Sequence, residues 1–165
     1  METMEWERAY DALEELNQLY KQMDGIYHRY ARQLGLSDTA FWILYSMGEE
    51  TAPLTQRELC DIWHYPPQTV NSALKGLERQ GLIALVPRRG SRKDKEMVLT
   101  GPGRDCVRRW IDPLMEAERR ALEELGAAER EQLFSITRRY IRALEAGAQA
   151  LPAAAQSEKE NGENL

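Results

Sequence analysis

The sequence has few of the residues that build metal sites and disulfide frameworks. It contains only two cysteines, Cys60 and Cys106, and two histidines, His28 and His64. Two cysteines are too few for a disulfide framework, and no residue falls in a CxxC, HxxxH or HExxH pattern. We therefore expect no metal and no cofactor. Because no nucleophile–base pair and no phosphate-cradling loop is present either, we expect that the protein is not an enzyme.

Long hydrophobic runs are also missing. No apolar stretch approaches the roughly 20 residues that cross a bilayer. The opening residues, METMEWERAYDALEEL, are acidic and amphipathic, unlike the basic and then apolar signature of a secretion signal. From these absences we expect a cytoplasmic protein that does not bind membranes.

Basic residues are in the minority, yet they are concentrated in one part of the chain. The 22 Lys and Arg against 27 Asp and Glu give a net charge of −5, which argues against a phosphate-rich partner. By thirds, however, residues 1–50 have a net charge of −6, residues 51–100 of +3 and residues 101–165 of −2. The segment RRGSRKDK, residues 88–95, has five positive groups and one negative group. A local patch of this kind is what a phosphate backbone senses over a Debye length of about 8 Å.

Hydrophobic periodicity predicts a mainly α-helical chain. Residues 4–34 form one long helix with an a/d-type seam, which usually packs on a partner helix, often from another subunit. The seam consists of Trp6, Ala9, Leu13, Leu16, Tyr20, Met23, Tyr27, Tyr30 and Leu34. After Gly35, the nearly all-apolar residues 40–47 indicate a short buried helix, with Ser37 as its cap and Leu36 and Phe41 as a hydrophobic staple.

Sharper signals follow in the middle of the chain. Thr55-Gln56-Arg57-Glu58 is a capping box that starts a helix to about Trp63, and the residues HYPP end it. A second helix runs from about Pro67 to Gln80 and stops at Gly81. Residues 82–87 and 97–100 predict two antiparallel strands, with residues 88–95 as the tip between them.

The last third of the chain predicts two more helices. The first runs from about Gly101 to Leu125 with Thr100 as its cap, and Pro113 is expected to kink it. The second covers residues 128–150 and has an apolar stripe of Leu133, Ile136, Tyr140 and Leu144. We thus predict boundaries after residues 35, 100 and 150, and a disordered tail at 151–165.

A short helix, a turn, a second helix and a β-hairpin with a basic tip make a winged helix-turn-helix. In this motif the second helix enters the major groove and its exposed N-terminal residues reach base edges. Gln68 and Asn71 suit adenine, and Lys75 suits guanine or a phosphate. The predicted DNA contacts of the two helices are Thr55, Gln56, Pro67, Gln68, Thr69, Asn71, Ser72 and Lys75. Those of the wing are Arg88, Arg89, Arg92, Lys93 and Lys95.

Residues 54–103 resemble the central block of the MarR family of bacterial transcription regulators. Thr55, Glu58 and Leu59 match the first-helix pattern T-x-x-E-L of that family. The second helix and its end match at Thr69, Val70, Leu77, Glu78, Gly81 and Leu82, and the close of the wing matches at Leu99, Thr100 and Gly103. With the flanking long helices the resemblance covers about residues 5–150.

The chain also departs from the family pattern at four places. Asn71 and Ser72 stand where the family often has Thr-Arg, and Pro66 replaces the usual Ser cap. The wing has Ser91-Arg92-Lys93 where Asp-x-Arg is typical, although Asp94 is the Asp under another placement of the gap. The operator preference of the family therefore does not transfer to this chain.

The resemblance implies a homodimer, joined by its first and last helices, that represses transcription from a pseudo-palindromic operator. It makes residues 1–35 a dimerisation helix, residues 36–100 a DNA-binding domain and residues 101–150 further interface helices. It also implies release from DNA by a small effector, often aromatic or phenolic, bound between the dimer helices and the DNA-binding lobe. The aromatic residues available for that cleft, with one methionine, are Tyr20, Met23, Tyr27, Tyr30, Trp42, Tyr45 and Trp110. The same stripe also fits plain core or a dimer seam.

Two other functions stay open from the sequence. Some MarR relatives sense oxidants through cysteine, so Cys60 or Cys106 could serve a thiol-sensing regulator, although a structural thiol fits each better. The negative net charge and the missing Arg at Ser72 also suit a winged helix that binds protein and not DNA.

Overall fold

The structure is a computed structural model that describes residues 2–49, 53–88, 90 and 94–151, with side chains from Tyr10 onward. Its first elements are α1 (Glu2–Gln33), α2 (Asp38–Glu49), α3 (Gln56–Trp63), α4 (Pro67–Arg79), β1 (Ile83–Pro87) and β2 (Lys95–Leu99). They are followed by α5 (Gly101–Cys106), a π-helical turn (Val107–Ile111), α6 (Asp112–Glu124) and α7 (Ala127–Gln149). The predicted mainly α-helical winged helix-turn-helix is confirmed.

Contacts between Cα atoms divide the chain into two units. The first ends at Leu114 and contains α1 together with the whole winged helix, whereas the second begins at Met115. The predicted four-part division with boundaries after residues 35, 100 and 150 stays a prediction. Of the predicted disordered tail, residues 152–165 lie outside the described residues.

The core of the first unit is built around α2, which contacts α1, α4 and the π turn. The predicted apolar segment 40–47 is buried on most sides because these neighbours surround it. Removal of each such side chain from water stabilises the fold by about 1.5–3 kcal/mol. The large side chains that are fully buried are Phe41, Ile43, Leu44, Leu59, Val70, Leu74, Leu77, Ile83, Met97 and Ile111.

The predicted helix starts are confirmed in atomic detail. Ser37 Oγ accepts a hydrogen bond from the Ala40 N–H at 3.2 Å. At α3 the Thr55 hydroxyl accepts from the Glu58 N–H at 3.2 Å, while Glu58 Oε2 accepts from the Thr55 N–H at 2.6 Å. The Ser37 cap and the Thr55–Glu58 capping box both satisfy N–H groups that would have no hydrogen-bond partner at the start of the helix.

The predicted glycine stop after α4 is also confirmed. Gly81 adopts a φ of +70°, which a residue without a Cβ reaches at no steric cost. The Leu82 N–H then donates to the Leu77 carbonyl at 3.0 Å, and the Gly81 N–H to the Glu78 carbonyl at 2.9 Å. These two bonds form a Schellman motif that directs the chain from α4 into β1.

The wing is a two-stranded antiparallel hairpin whose tip is shorter than predicted. The register pairs Ile83 with Leu99 and Pro87 with Lys95, so Lys95 belongs to β2 and not to the tip. The Arg88 N–H donates to the Asp94 carbonyl at 2.9 Å and closes the loop. Strand β2 begins earlier than the apolar pattern predicted, because backbone pairing with β1, and not side-chain hydropathy, determines where it starts.

The predicted helix from Gly101 to Leu125 is interrupted before Pro113. Residues Val107–Ile111 form a π turn, and the Asp112 N–H donates to the Val107 carbonyl five residues back. Proline has no N–H to donate, and its ring crowds the carbonyl four residues earlier, so the regular hydrogen-bond ladder cannot pass it unchanged. The sequence predicted that Pro113 kinks the helix, and the structure instead has a π turn directly before it.

The seam of α1 has two different environments. Tyr27 and Tyr30, near its end, are half-buried against α2, with Phe41 ring centroids 6.5 and 6.2 Å away. Leu13, Tyr20 and Met23, further towards the N-terminus, are exposed. The last part of the seam therefore packs within the chain, and the earlier part presents an apolar face.

In the second unit, the predicted stripe of α7 is exposed. Leu133, Ile136 and Leu144 all present apolar surface to solvent, and Tyr140 is half-buried. An exposed apolar stripe on a helix marks an interaction surface more often than a solvated face. Within the described part of the chain, no helix is both long enough and apolar enough to cross a membrane.

Candidate nucleic-acid interface

Helix α4 has one buried face and one exposed polar face. Val70, Ala73, Leu74 and Leu77 face the core, as the sequence predicted. The residues of α4 that were predicted to contact DNA lie outside this buried face. Asn71 is half-buried, and the exposed residues are Pro67, Gln68, Thr69, Ser72 and Lys75. The helix thus presents a row of amide, hydroxyl and ammonium groups at its N-terminal end.

The turn between α3 and α4 fixes where this row begins. His64 ends α3 in the left-handed region with a φ of 52°, and Pro67 opens α4. Pro66 stands at the cap position and provides no side-chain acceptor, so no side chain caps the N-terminus of α4. Gln56 Nε2 donates to the Pro67 carbonyl at 3.0 Å and ties the first turn of α3 to that of α4.

Thr55 and Gln56 are engaged within the protein. Thr55 is only 7% exposed because its hydroxyl caps α3 and its backbone pairs with Glu96 in an isolated bridge. Gln56 is half-buried and uses its amide nitrogen on Pro67. Both residues therefore have a structural task at the position where the sequence predicted phosphate contacts.

On the wing, Arg88 and Lys95 are exposed at the ends of the two strands. Arg88 Nη1 lies 3.0 Å from Glu58 Oε1, so its charge is paired with a carboxylate of α3. The other predicted wing contacts, Arg89, Arg92 and Lys93, lie outside the described residues.

Helices α3 and α4 and the wing enclose an open groove of about 970 Å³. Among the residues that the structure describes, its charged lining is balanced: four positive and four negative side chains face it. The positive ones are Arg57, Lys75, Arg88 and Lys95, and the negative ones are Glu58, Asp61, Glu78 and Asp94. Counting charges along the sequence missed this balance because it cannot tell which side chains of a helix share a groove.

The residues predicted to line an effector cleft separate into three groups. Tyr20 and Met23 are exposed on α1, at 46% and 55%. Tyr27, Trp42 and Tyr45 belong to an aromatic cluster, with ring centroids 4.8 Å apart for Tyr27–Trp42 and 5.3 Å for Trp42–Tyr45. Tyr30 and Trp110 line a cleft in the described part of the chain.

That cleft has a volume of about 560 Å³ and opens between the end of α1, the end of α4 and the π turn. Its lining mixes apolar walls with two amides and a thiol: Tyr30, Gln33, Leu34, Leu36, Gln80, Leu82, Cys106 and Trp110. The Tyr30 hydroxyl donates to the Trp110 carbonyl at 2.8 Å. Burial, and then the nearby Cys106, raises the pKa of Tyr30, so this phenol stays a hydrogen-bond donor.

The aromatic cluster continues to the helix-turn-helix through Trp63. Its ring lies 4.6 Å from that of Trp42, and its Nε1 donates to Ser46 Oγ at 2.7 Å. Ser46 is buried and in turn donates to the Trp42 carbonyl at 3.0 Å. No sequence signal identified Ser46, because its partner Trp63 is distant in the chain and neither residue belongs to a motif.

The two cysteines are free thiols, and one of the two histidines contacts a carboxylate. Cys60 and Cys106 are both free and half-buried, and burial raises the pKa of the Cys106 thiol. His28 is exposed, and its Nδ1 lies 2.9 Å from the Asp38 carboxylate. His64 is exposed at the turn. In the described ranges, no group of three or more His, Cys, Asp or Glu is placed to hold a metal ion.

The helix pair α3–α4 with its hairpin defines a winged helix-turn-helix protein. Residues 34–94 match the model of the MarR family. This match covers the helix-turn-helix and most of the wing, the region in which the sequence motifs resemble the same family.

Solved structures of the family show the same fold. The chain is similar to NMB1585, a MarR family regulator from Neisseria meningitidis, with a TM-score of 0.69 and 21% identity over 84% of this chain and 96% of that one. A MarR family transcriptional regulator from Listeria monocytogenes, complexed with 26mer DNA, gives a TM-score of 0.66 and 20% identity over 87% and 97% of the two chains. The MepR–DNA complex of S. aureus gives 0.64 and 20% over 78% and 94%. No curated protein sequence matches this chain.

Proposed function

We propose that this protein is a homodimeric transcription regulator that binds double-stranded DNA in the cytoplasm and acts as a repressor. The observation on which this rests is the exposed polar row of α4, set on a buried apolar face beside a wing. Two similar structures, from Listeria monocytogenes and S. aureus, are complexes with DNA, which supports the same partner here.

Helix α4 would read bases in the major groove. Gln68 and Asn71 can each pair with adenine through two hydrogen bonds, and Lys75 suits guanine or a phosphate. The N-terminus of α4 has no side-chain cap, so its positive dipole end favours a phosphate. The wing would place Lys95, with Arg89, Arg92 and Lys93, at phosphates or in the adjacent minor groove.

The dimer is supported by the apolar side chains that α1 and α7 each expose. Leu13, Tyr20 and Met23 on α1, and Leu133 and Ile136 on α7, would be removed from water by a second copy. A two-fold dimer would bind half-sites about 34–36 Å apart on a pseudo-palindromic operator.

The effector would bind in the cleft of about 560 Å³ that contains Tyr30 and Trp110. Apolar walls with a few polar groups suit a small aromatic molecule, and Gln33 and Gln80 offer amides to its polar substituent. Gln80 directly follows α4, so an occupant of the cleft would touch the end of the helix that reads DNA. The proposal thus keeps Tyr30 and Trp110 as effector residues. It assigns Tyr27, Trp42 and Tyr45 to packing, and Tyr20 and Met23 to the dimer face.

DNA binding is tested by fluorescence anisotropy on the DNA upstream of the protein's own gene, over a range of salt concentrations. Asn71→Ala should weaken specific binding by about 5- to 150-fold for each half-site, since one bidentate base contact is worth about 1–3 kcal/mol. It should leave binding to unrelated DNA unchanged. Arg89, Arg92 and Lys93 changed together to Ala remove six contacts from the dimer and should lower the slope of log K against log salt by about 5.

Arg138→Gln, on the exposed surface of α7, is the matched control for charge and should change neither quantity. Absence of salt-dependent DNA binding by the wild type would contradict the proposal. It would favour a winged helix that binds protein, which the balanced charge of the groove also suits.

The effector is tested by thermal-shift screening of aromatic acids and phenols, after mass spectrometry of any ligand that copurifies. Gln33→Trp, at the cleft, should abolish the shift, whereas Gln22→Trp on the same helix should preserve it. Sensing by thiol oxidation is less favoured because burial lowers the thiolate fraction of Cys106. An altered peroxide response of Cys60→Ser or Cys106→Ser would restore that alternative.

A further inference from the structure

Arg88 is the first residue after β1, and its side chain turns towards helix α3. Its Nη1 donates to Glu58 Oε1 at 3.0 Å, although both side chains are about two-fifths exposed, at 43% and 39%. An arginine that only bound phosphate would not need a carboxylate within hydrogen-bond distance. A carboxylate beside it offsets the charge that attracts DNA.

Glu58 is held firmly at the other end of this ion pair. Its Oε2 accepts from the Thr55 N–H at 2.6 Å, which completes the capping box of α3. The Thr55 backbone N–H, first, and then the Thr55 hydroxyl and Arg88 lower the pKa of Glu58, which keeps it ionised at neutral pH. One carboxylate therefore joins the start of α3 to the end of β1.

The second wing strand is tied to the same place. The Met97 N–H donates to the Leu54 carbonyl at 2.8 Å, and Thr55 pairs with Glu96 in an antiparallel bridge. Residues 54–55 thus act as a short third partner of the wing. β2 is attached to the N-terminus of α3 through the backbone, and β1 is attached to it through Arg88 and Glu58.

We propose that Glu58 and Arg88 are positioning residues that fix the wing against the helix-turn-helix, and that Arg88 makes no phosphate contact. The effect of this pair on operator affinity rests on the proposed DNA-binding function. A phosphate that recruited Arg88 would leave the Glu58 carboxylate unpaired beside the anionic backbone, where like charges repel. The phosphate contacts of the wing then fall to its other basic residues.

Salt dependence separates a positioning arginine from a phosphate contact. Arg88→Gln should weaken operator binding by about two- to fivefold, the size of a partly exposed ion pair, and leave the salt slope unchanged. Lys95→Gln is the matched control and removes a charge from the opposite strand. It should lower the slope by about 1.8, because the dimer loses one contact in each half-site. An equal loss of slope in Arg88→Gln would overturn the proposal.

The glutamate is tested against an acid of the same groove. Glu58→Gln keeps a capping residue, since glutamine also closes the box, so the variant should fold. Relative to Asp61→Asn, which removes the same charge from the same groove, Glu58→Gln should bind the operator more weakly. The double variant Glu58→Gln/Arg88→Gln should be no worse than Arg88→Gln alone. Additive losses would contradict a shared role.

Hydrogen exchange of the DNA-free protein gives a readout that needs no DNA. Glu58→Gln and Arg88→Gln should each speed exchange at the Arg88 and Met97 amides several-fold and leave the α7 amides unchanged. Unchanged wing exchange in both variants would overturn the proposal even if the protein binds DNA. Faster wing exchange in a protein that fails to bind DNA would uphold the positioning role and refute the proposed function.

Discussion

Gly103 lies where helix α5 passes closest to the chain that leaves α4. A Cβ built at this residue would stand 1.8 Å from the Leu82 carbonyl oxygen, which is backbone and cannot rotate away. The same carbonyl accepts hydrogen bonds from the Thr100 N–H at 3.0 Å and the Thr100 hydroxyl at 3.1 Å. The glycine at position 103, which matches the family pattern at the close of the wing, is therefore required for steric reasons in this chain.

We predict that Gly103→Ala destabilises the protein by about 1–3 kcal/mol or more, because α5 must move away from Leu82. The free energy of unfolding in urea measures this. The matched control is Gly76→Ala in α4, where a Cβ meets nothing within 4 Å. That variant should stabilise the protein by about 0.5–1 kcal/mol through helix propensity. Equal effects of the two substitutions would contradict the steric account.

At the scale of elements, α3 depends on its capping box more than on its length. It has only eight residues, so helix propensity alone gives it little stability. Thr55→Val keeps the shape and the extended backbone but removes the acceptor of the Glu58 N–H. We predict a loss of about 1–2 kcal/mol in the free energy of unfolding.

Thr55→Ser is the control for this prediction, because it keeps the hydroxyl oxygen and loses only a methyl group. Its loss should be clearly smaller than that of Thr55→Val. Thermal unfolding followed by circular dichroism compares the two. A larger loss for the serine variant would show that packing, and not capping, dominates at this site.

Helix α6 has a pH-sensitive charge cluster. Glu116 accepts hydrogen bonds from Arg119, at 2.8 Å, and from Arg120, at 2.8 Å, and Arg119 also bonds Glu123. These bonds, with that of Arg119 first, lower the pKa of Glu116 to about 2. Since the folded-state pKa lies below the unfolded one, the stabilisation is complete above about pH 4.5 and is lost as pH falls towards 2.

We therefore predict that Glu116→Gln flattens the decline of thermal stability between about pH 4.5 and 2. The melting temperature, measured at several pH values, tests this. Glu124→Gln, which removes an acid from the same helix outside the cluster, should leave the decline as in the wild type. An identical pH profile for wild type and Glu116→Gln would refute the linkage.

Local chemistry explains which elements the sequence could predict. Short-range patterns were predictable because their residues lie within about five positions of each other. Examples are the capping box at Thr55, the Ser37 cap and the Gly81 stop. The Glu58–Arg88 pair joins residues 30 positions apart and has no local pattern. Pro113 predicted a disturbed helix, but whether the ladder kinks or forms a π turn depends on what packs around it.

At the scale of the whole molecule, periodicity showed the apolar faces but not their partners. The seam of α1 was predicted as one stripe, yet Tyr30 packs against α2 while Met23 faces solvent. A heptad pattern reports only that a face is apolar, because an intrachain and an interchain neighbour bury it equally well. The sum of charges along the sequence was limited in the same way. It did not show that acidic and basic side chains line one groove.

The exposed stripe of α7 leads to a prediction about assembly. Ile136→Glu with Leu144→Glu should convert a dimer into a monomer, because two buried charges without partners oppose association strongly. Sedimentation velocity at several protein concentrations measures this. Arg142→Glu, on the same helix, is the control and should leave the dimer intact. A wild type that is monomeric at all concentrations would remove the dimer from the proposal.

The root of the wing is fixed by bonds that do not depend on the length of its tip. The bonds from Met97 to Leu54, from Thr100 to Leu82 and from Arg88 to Asp94 all lie on the helix side of the loop. Residues inserted between Arg88 and Asp94 would lengthen the loop and leave every one of these bonds in register. One residue inserted between Leu99 and Gly103 would displace the α5 cap. The span of DNA that such a wing reaches can thus vary among related chains without any change in the domain that holds it.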